Sequence, residues 1–116
     1  MTYFQGRIAA LFAVAMLSTA AQAEGLVTAA NGMTLYTFDN DAGGVSACYD
    51  GCAGNWPPFT GTEGEAMGDA WTLVARSDGT LQWAYDGKPL YFFKGDKAKG
   101  DMAGDGKGGV WHIVAE

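Results

Sequence analysis

A ten-residue segment occurs twice in this chain. Gly32-Met33-Thr34-Leu35-Tyr36-Thr37-Phe38-Asp39-Asn40-Asp41 recurs 55 residues later as Gly87-Lys88-Pro89-Leu90-Tyr91-Phe92-Phe93-Lys94-Gly95-Asp96. Both copies read Gly-x-x-Leu-Tyr-x-Phe-x-x-Asp. A unit repeated once within 116 residues leaves room for a single domain built from two similar halves. A second correspondence follows, because Trp71-Thr72-Leu73-Val74-Ala75 resembles Trp111-His112-Ile113-Val114-Ala115. On this reading the halves span approximately 26–75 and 80–115, each running turn, aromatic strand, connector, Trp-led strand. Trp71 lies 35 residues after Tyr36, whereas Trp111 lies 20 after Tyr91, so the first half is read as carrying an insertion. Both cysteines fall within it.

The local chemistry is that of β structure. Asn31-Gly32, Asp78-Gly79 and Asp86-Gly87 are hairpin signals, since a two-residue turn of this type needs positive φ at its central positions. Tyr36 and Phe38 share one strand face, as do Tyr91 and Phe93. Strands are expected near 26–30, 33–38, 71–76, 80–85, 89–94 and 110–114. The expected fold is mainly β, a small sandwich or barrel of about six strands from two similar halves. A short helical Cys-bearing insertion is expected between 45 and 53, and the Gly-rich stretch 100–109 is expected to be a loop.

Residues 1–23 have the form of a secretory signal: Arg7, an apolar run from Ile8 to Leu17, and an Ala21-Gln22-Ala23 cleavage site. The apolar run is shorter than the roughly 20 residues a spanning helix needs. The expected product begins at Glu24, keeps 93 residues and has no membrane span. Loss of Arg7 takes the formal charge from −6 to −7, the wrong sign for an unassisted nucleic-acid binder. The acidic surface favours cations or basic partners.

Exported cysteines present in even number usually pair, so Cys48 and Cys52 are expected to form a disulfide. The competing reading is a copper or redox site. Two thiolates and an imidazole suit Cu(I), and His112 is the sole histidine, so Cys48, Cys52 and His112 form the alternative ligand set.

The Tyr-x-Phe-x-x-Asp element resembles the motif of a bacterial secreted-repeat family, described as predicted lipoproteins with a Yx(FWY)xxD motif. Tyr36, Phe38 and Asp41 match it once, and Tyr91, Phe93 and Asp96 match it again. Cys48-Tyr49-Asp50-Gly51-Cys52, Asn55-Trp56-Pro57-Pro58 and Gly109-Val110-Trp111-His112 are similar to the family as well. The resemblance implies an exported repeat domain and brings no activity with it. The chain departs from the lipoprotein members in having no cysteine near its cleavage site, so no lipid anchor is expected.

The motif aromatics are expected to be core ladders; the alternative is a groove with aromatic walls for a flat ligand such as a haem, quinone or sugar. Asp41 and Asp96 are expected to close the turns that follow them. Asp39, Asn40 and Asp41, and separately Asp101 and Asp105, offer oxygen to Ca²⁺ without matching the EF-hand spacing. Trp56-Pro57-Pro58 is expected to pack the Cys-bearing loop onto the domain. No Gly-x-Ser-x-Gly or His-Glu-x-x-His occurs, so no enzyme is expected. The expected function is a small binding or interaction domain of the cell envelope, periplasmic or secreted. It would have no cofactor and would bind an unknown envelope protein or small ligand, possibly basic. The alternative is a copper-binding or electron-handling protein.

Overall fold

The computed structural model describes residues 25–116. The segment 1–23, expected to be a secretory signal, lies outside them. Among the described residues the chain forms six short strands and one short helix: β1 (Tyr36–Phe38), α1 (Gly51–Asn55), β2 (Thr60–Gly61), β3 (Trp71–Ala75), β4 (Leu81–Tyr85), β5 (Lys88–Pro89) and β6 (Trp111–Ile113). Single 3-10 turns occupy Ala42–Gly44 and Lys107–Gly109. The fold is mainly β, in two sheets. One pairs β1 with β6; the other has the order β2-β4-β3, with β5 also on β4, and all pairs are antiparallel. Neither sheet closes, so the barrel form of the expectation does not occur.

The sheets meet at the repeated tyrosines. Tyr36 N–H donates to Tyr91 O at 2.8 Å, and Tyr91 N–H donates to Tyr36 O at 2.9 Å. Two equivalent residues that exchange both bonds sit astride a pseudo-twofold axis. The symmetry extends well beyond that pair. Asp39 N–H to Val110 O (2.8 Å) matches Lys94 N–H to Asn55 O (2.9 Å), and Asp41 N–H to Phe38 O matches Asp96 N–H to Phe93 O, both 3.1 Å. Every one of these positions has its counterpart 55 residues on.

That offset pairs Trp111 with Trp56, not with Trp71. The two indoles stack at 3.8 Å with planes 2° apart, directly across the axis. Phe38 lies on Trp111 at 4.1 Å and Phe93 on Trp56 at 4.3 Å, so four rings form one column through the core. The connectors 42–55 and 97–110 are therefore equal in length. The Cys-bearing segment is helical as expected, but it replaces its counterpart instead of adding to it. The extra chain is the stretch between repeats, which supplies β3 as an outer partner of β4.

Turn chemistry accounts for the one break in register. Asp86 (φ 51°) and Gly87 (φ 82°) make the expected two-residue turn. At the first hairpin only Gly32 has positive φ, and Ala29 N–H bonds Met33 O across a three-residue loop. The first hairpin thus holds one residue more, and the segment before it pairs at an offset of 56: Val27 N–H to Val114 O matches Trp83 N–H to Phe59 O.

The expected strands at 71–76, 80–85 and 110–114 are present as β3, β4 and β6. Near 26–30 only the bridges Leu26–Ala115 and Thr28–Thr34 form. The expected strand at 89–94 stops as a regular strand at Pro89, because its backbone bonds are shared among several partners: Leu90 to Trp83, Tyr91 to Tyr36, and Phe92 to Pro57. β2 carries no strand signal; a side chain at Gly61 would overlap the Trp83 indole.

Candidate functional site

The motif residues lie in the core. Tyr36 and Tyr91 are both 0% exposed, in equivalent places, and share a cluster with Cys48, Trp56 and Trp111. They are not walls of an open aromatic groove. Their polar ends explain the aspartates. Tyr36 donates its hydroxyl to Asp96 Oδ2 at 2.7 Å, and Tyr91 donates to Asp41 Oδ2 at 2.8 Å. Each tyrosine therefore holds the aspartate of the other repeat. The second carboxylate oxygen of each aspartate accepts a connector amide: Ala47 N–H on Asp41 Oδ1 at 2.7 Å, and Ala103 N–H on Asp96 Oδ1 at 2.9 Å. The aspartates thus brace the connectors six or seven residues on, further than the immediate turn. Burial pushes the Tyr91 hydroxyl up to about 12, and it pushes Tyr36 higher still, with the bond to Asp96 acting in the same direction. Burial also raises Asp41, against the Ala47 amide, the Tyr91 hydroxyl and the Arg76 cation.

Arg76 was not singled out in the sequence, yet it organises the cysteine connector. It follows β3 and is 5% exposed. Nη1 donates to Ser46 Oγ at 3.0 Å and Gln82 Oε1 at 2.8 Å, and Nη2 donates to the Cys48 carbonyl at 2.8 Å. Ser46 Oγ also hydrogen-bonds the Tyr91 hydroxyl, so cation, serine, tyrosine and Asp41 form one buried chain. The Arg76 guanidinium lies 4.3 Å from the centre of the Tyr49 ring.

Cys48 and Cys52 are joined in a disulfide, with Cα atoms 5.2 Å apart. Cys48 precedes α1 and Cys52 lies within it. His112 is elsewhere, on β6, bonded to Asp39. Among the described residues no three His, Cys, Asp or Glu side chains gather as a metal site. The Cys48, Cys52 and His112 set is therefore not assembled, and the aspartates read as calcium ligands bond the chain itself. Asp101 instead accepts the Lys97 and Ala98 amides, and Asp105 accepts the Ile113 amide.

His112 leads to a polar concavity, distinct from a larger and more open one of about 470 Å³ over Thr60, Thr62, Glu63 and Thr80. A groove of about 310 Å³ lies over Thr37, Asp39, Tyr85, Asp86, Lys88 and His112, floored by Ile113, Val114 and Ala115. A recess of about 180 Å³ adjoins it and shares Thr37, Asp39 and Lys88. His112 Nε2 is 2.9 Å from Asp39 Oδ2, with the two side chains 44% and 54% exposed. An ionised carboxylate only accepts, so Nε2 carries the proton of this bond, and Nδ1 is left to meet other groups. Three chain segments build the site: β1 with the turn after it, the β4–β5 hairpin turn, and β6.

The pseudo-twofold supplies a control. The equivalent cavity, about 350 Å³, is lined by Ala29, Ala30, Phe59, Met67, Trp83 and Phe92, with Asn31, Thr60 and Glu65. There Phe92 stands for Thr37 and Ala30 for Asp86, while Pro57, Lys94 and Met33 are the counterparts of His112, Asp39 and Lys88. The same backbone thus supports an apolar cavity in one half and a polar one in the other.

No curated protein and no solved structure matches the chain. The family model for a secreted repeat of unknown function matches twice, over residues 18–60 and 72–115. The matches cover 87 of the 116 residues. They start 54 and end 55 residues apart, the spacing of the geometric repeat. Among the described residues no helix is long and apolar enough to cross a membrane. With its doubled motif, crossed tyrosine–aspartate pairs and two family matches, the chain belongs to the family of secreted repeats of unknown function.

Proposed function

We propose that the protein is an exported, non-enzymatic binding domain of the bacterial cell envelope, periplasmic or secreted, with its site in the groove at His112 and Asp39. The broken symmetry of the two cavities carries this reading. Proline, methionine and phenylalanine serve in one half, so the fold itself does not require His112, Lys88 and Thr37 in the other. Polar groups that convergence around a concavity makes useful, and that stability does not demand, mark a binding site. A scaffold braced by crossed side-chain bonds keeps such a groove preformed, which lowers the ordering cost of binding.

The test is an amide NMR titration of the isotopically labelled protein with the small-molecule fraction of its own extracytoplasmic medium. Ligand-induced shifts are expected at Thr37, Asp86, Lys88 and His112. His112→Ala should abolish them while changing stability by less than about 0.5 kcal/mol, the usual range for a surface position. Lys94→Ala, at the counterpart of Asp39, should leave them unchanged. Shifts that cluster elsewhere, or that survive His112→Ala, would remove the groove as the site.

A further inference from the structure

On the reading that this groove is the binding site, we propose that its ligand is a sugar ring: one hexose-type unit, free or at the end of a glycan. The argument begins with which groups remain to meet a ligand. Asp41 is satisfied by Tyr91 and Ala47, and Asp39 is held by His112. Among the described residues the side chains of Thr37, Tyr85, Asp86 and Lys88 make no hydrogen bond or ion pair, yet all four line the groove. A carboxylate, an ammonium, two hydroxyls and the His112 Nδ1 are therefore available, with the half-buried Tyr85 ring among them.

That mixture discriminates between ligand classes. A phosphate or other anion would face Asp39, Asp41 and Asp86 together, which disfavours it. Among the described residues no three His, Cys, Asp or Glu side chains gather to hold a metal ion. An apolar ligand fits the twin cavity, not this one. A sugar matches every element. Each of its hydroxyls both donates and accepts, so neighbouring hydroxyls bridge the Asp86 carboxylate and the Lys88 ammonium. Its C–H face is apolar and packs on an aromatic ring; Tyr85, half-buried with its ring edge-on to Trp71 at 5.2 Å, is the aromatic residue lining this groove. The volume, about 310 Å³, is at the lower end for small-molecule sites and suits one ring.

The site is open to water on one side, so affinity should be modest, with Kd on the order of millimolar. The ligand is uncharged, so binding should be nearly indifferent to added salt.

The experiment uses protein purified from the extracytoplasmic fraction, titrated by amide NMR with glucose, galactose, N-acetylglucosamine and the N-acetylglucosamine trimer. Glycine, a zwitterion, and inorganic phosphate, an anion, serve as ionic probes. At least one sugar should shift Thr37, Asp86, Lys88 and His112 with unchanged affinity in 0.5 M salt, where the Debye length is only about 4 Å. Tighter binding of the trimer than of the monomer assigns the glycan source, and equal binding assigns the free sugar. Tyr85→Leu should weaken binding at least tenfold. Asp86→Asn should weaken it several-fold while keeping the turn, since asparagine also tolerates positive φ. Groove shifts with glycine or phosphate but no sugar would overturn the sugar assignment and leave the groove as a site. No groove shifts with any probe would overturn the sugar assignment, and failure of the extract titration as well would overturn both.

Discussion

Tyr36 with Asp96 and Tyr91 with Asp41 are the same lock built twice, and the two are supported by opposite means. Around Asp41 the connector is held by a disulfide and a buried cation: Cys48 joins Cys52, and Arg76 binds Ser46, Gln82 and the Cys48 carbonyl. Around Asp96 there is neither. Glycine and carboxylates do that work instead. Gly104 N–H donates to the Tyr36 hydroxyl at 3.2 Å, and a side chain at Gly104 would overlap the Trp56 and Phe93 rings. Asp96, Asp101 and Asp105 then fasten the loop through backbone amides. One geometry has thus been kept while its supports diverged. The shared part is the crossed pair and the ring column; the connectors need only present an amide to each aspartate.

The contrast is most exposed to breakage at Arg76. Arg76→Met removes donors from three acceptors and leaves the Cys48 carbonyl, Ser46 and Gln82 buried. With about 1–3 kcal/mol for each unsatisfied buried group, and partial rearrangement, a loss of about 3 kcal/mol is expected in urea unfolding. The buried part of the chain near Asp41 should loosen first, seen as faster amide exchange at Ala47 than at Ala103. A loss below about 1 kcal/mol would mean that the disulfide alone supports this lock.

The tyrosines sharpen the same comparison. Tyr36→Phe strands a carboxylate oxygen of Asp96 and the Gly104 amide, with no cation or hydroxyl beside them; about 2 kcal/mol should be lost. Tyr91→Phe leaves Asp41 with Ser46 and Arg76 close by, so about 1 kcal/mol is expected. Equilibrium unfolding of both variants checks the order. Equal losses would show that the supports of the Asp41 lock do not compensate.

Much of this was legible from residues near one another in sequence. The motif, the cysteine pair and the Asp86-Gly87 turn each depend on short-range chemistry, and β3, β4 and β6 followed from such signals. Asp78-Gly79 marks a turn as well, but a three-residue loop with positive φ at Gly79 alone, not the expected two-residue turn. What crosses the molecule was not legible. Nothing in Tyr36 or Asp41 says that their partners lie in the other copy, 60 and 50 residues away. Arg76 sits at a strand end before a turn, where arginine is ordinarily solvated; only Ser46 and Cys48, brought in from 30 and 28 residues away, make it a core residue. Trp71 resembled Trp111 locally and hid Trp56, whose exact 55-residue spacing was the stronger signal. The groove escaped notice because three separate segments form it, and the motif residues that line it, Thr37, Asp39 and Lys88, hold variable positions, not the repeated ones.

The smallest effect is also the most specific to the two hydroxyls. Both tyrosines ionise in the fold above the ordinary phenol value of 10.0, Tyr91 at about 12 and Tyr36 higher. A group whose folded pKa is raised contributes stability that is complete below its unfolded pKa and is lost as pH rises through the folded one. Stability should therefore hold up to about pH 10 and decline through pH 12. Tyr49, lowered by its bonds to Ser77, should ionise before either. Urea unfolding at pH 8 and again near pH 11.5 measures the decline. It should shrink by a similar amount in each phenylalanine variant, because near pH 11.5 both hydroxyls are still mostly protonated in the fold and the loss is set by the unfolded value. Equal alkaline loss in the parent and both variants would show that the crossed hydroxyls are not what ties the halves together at high pH.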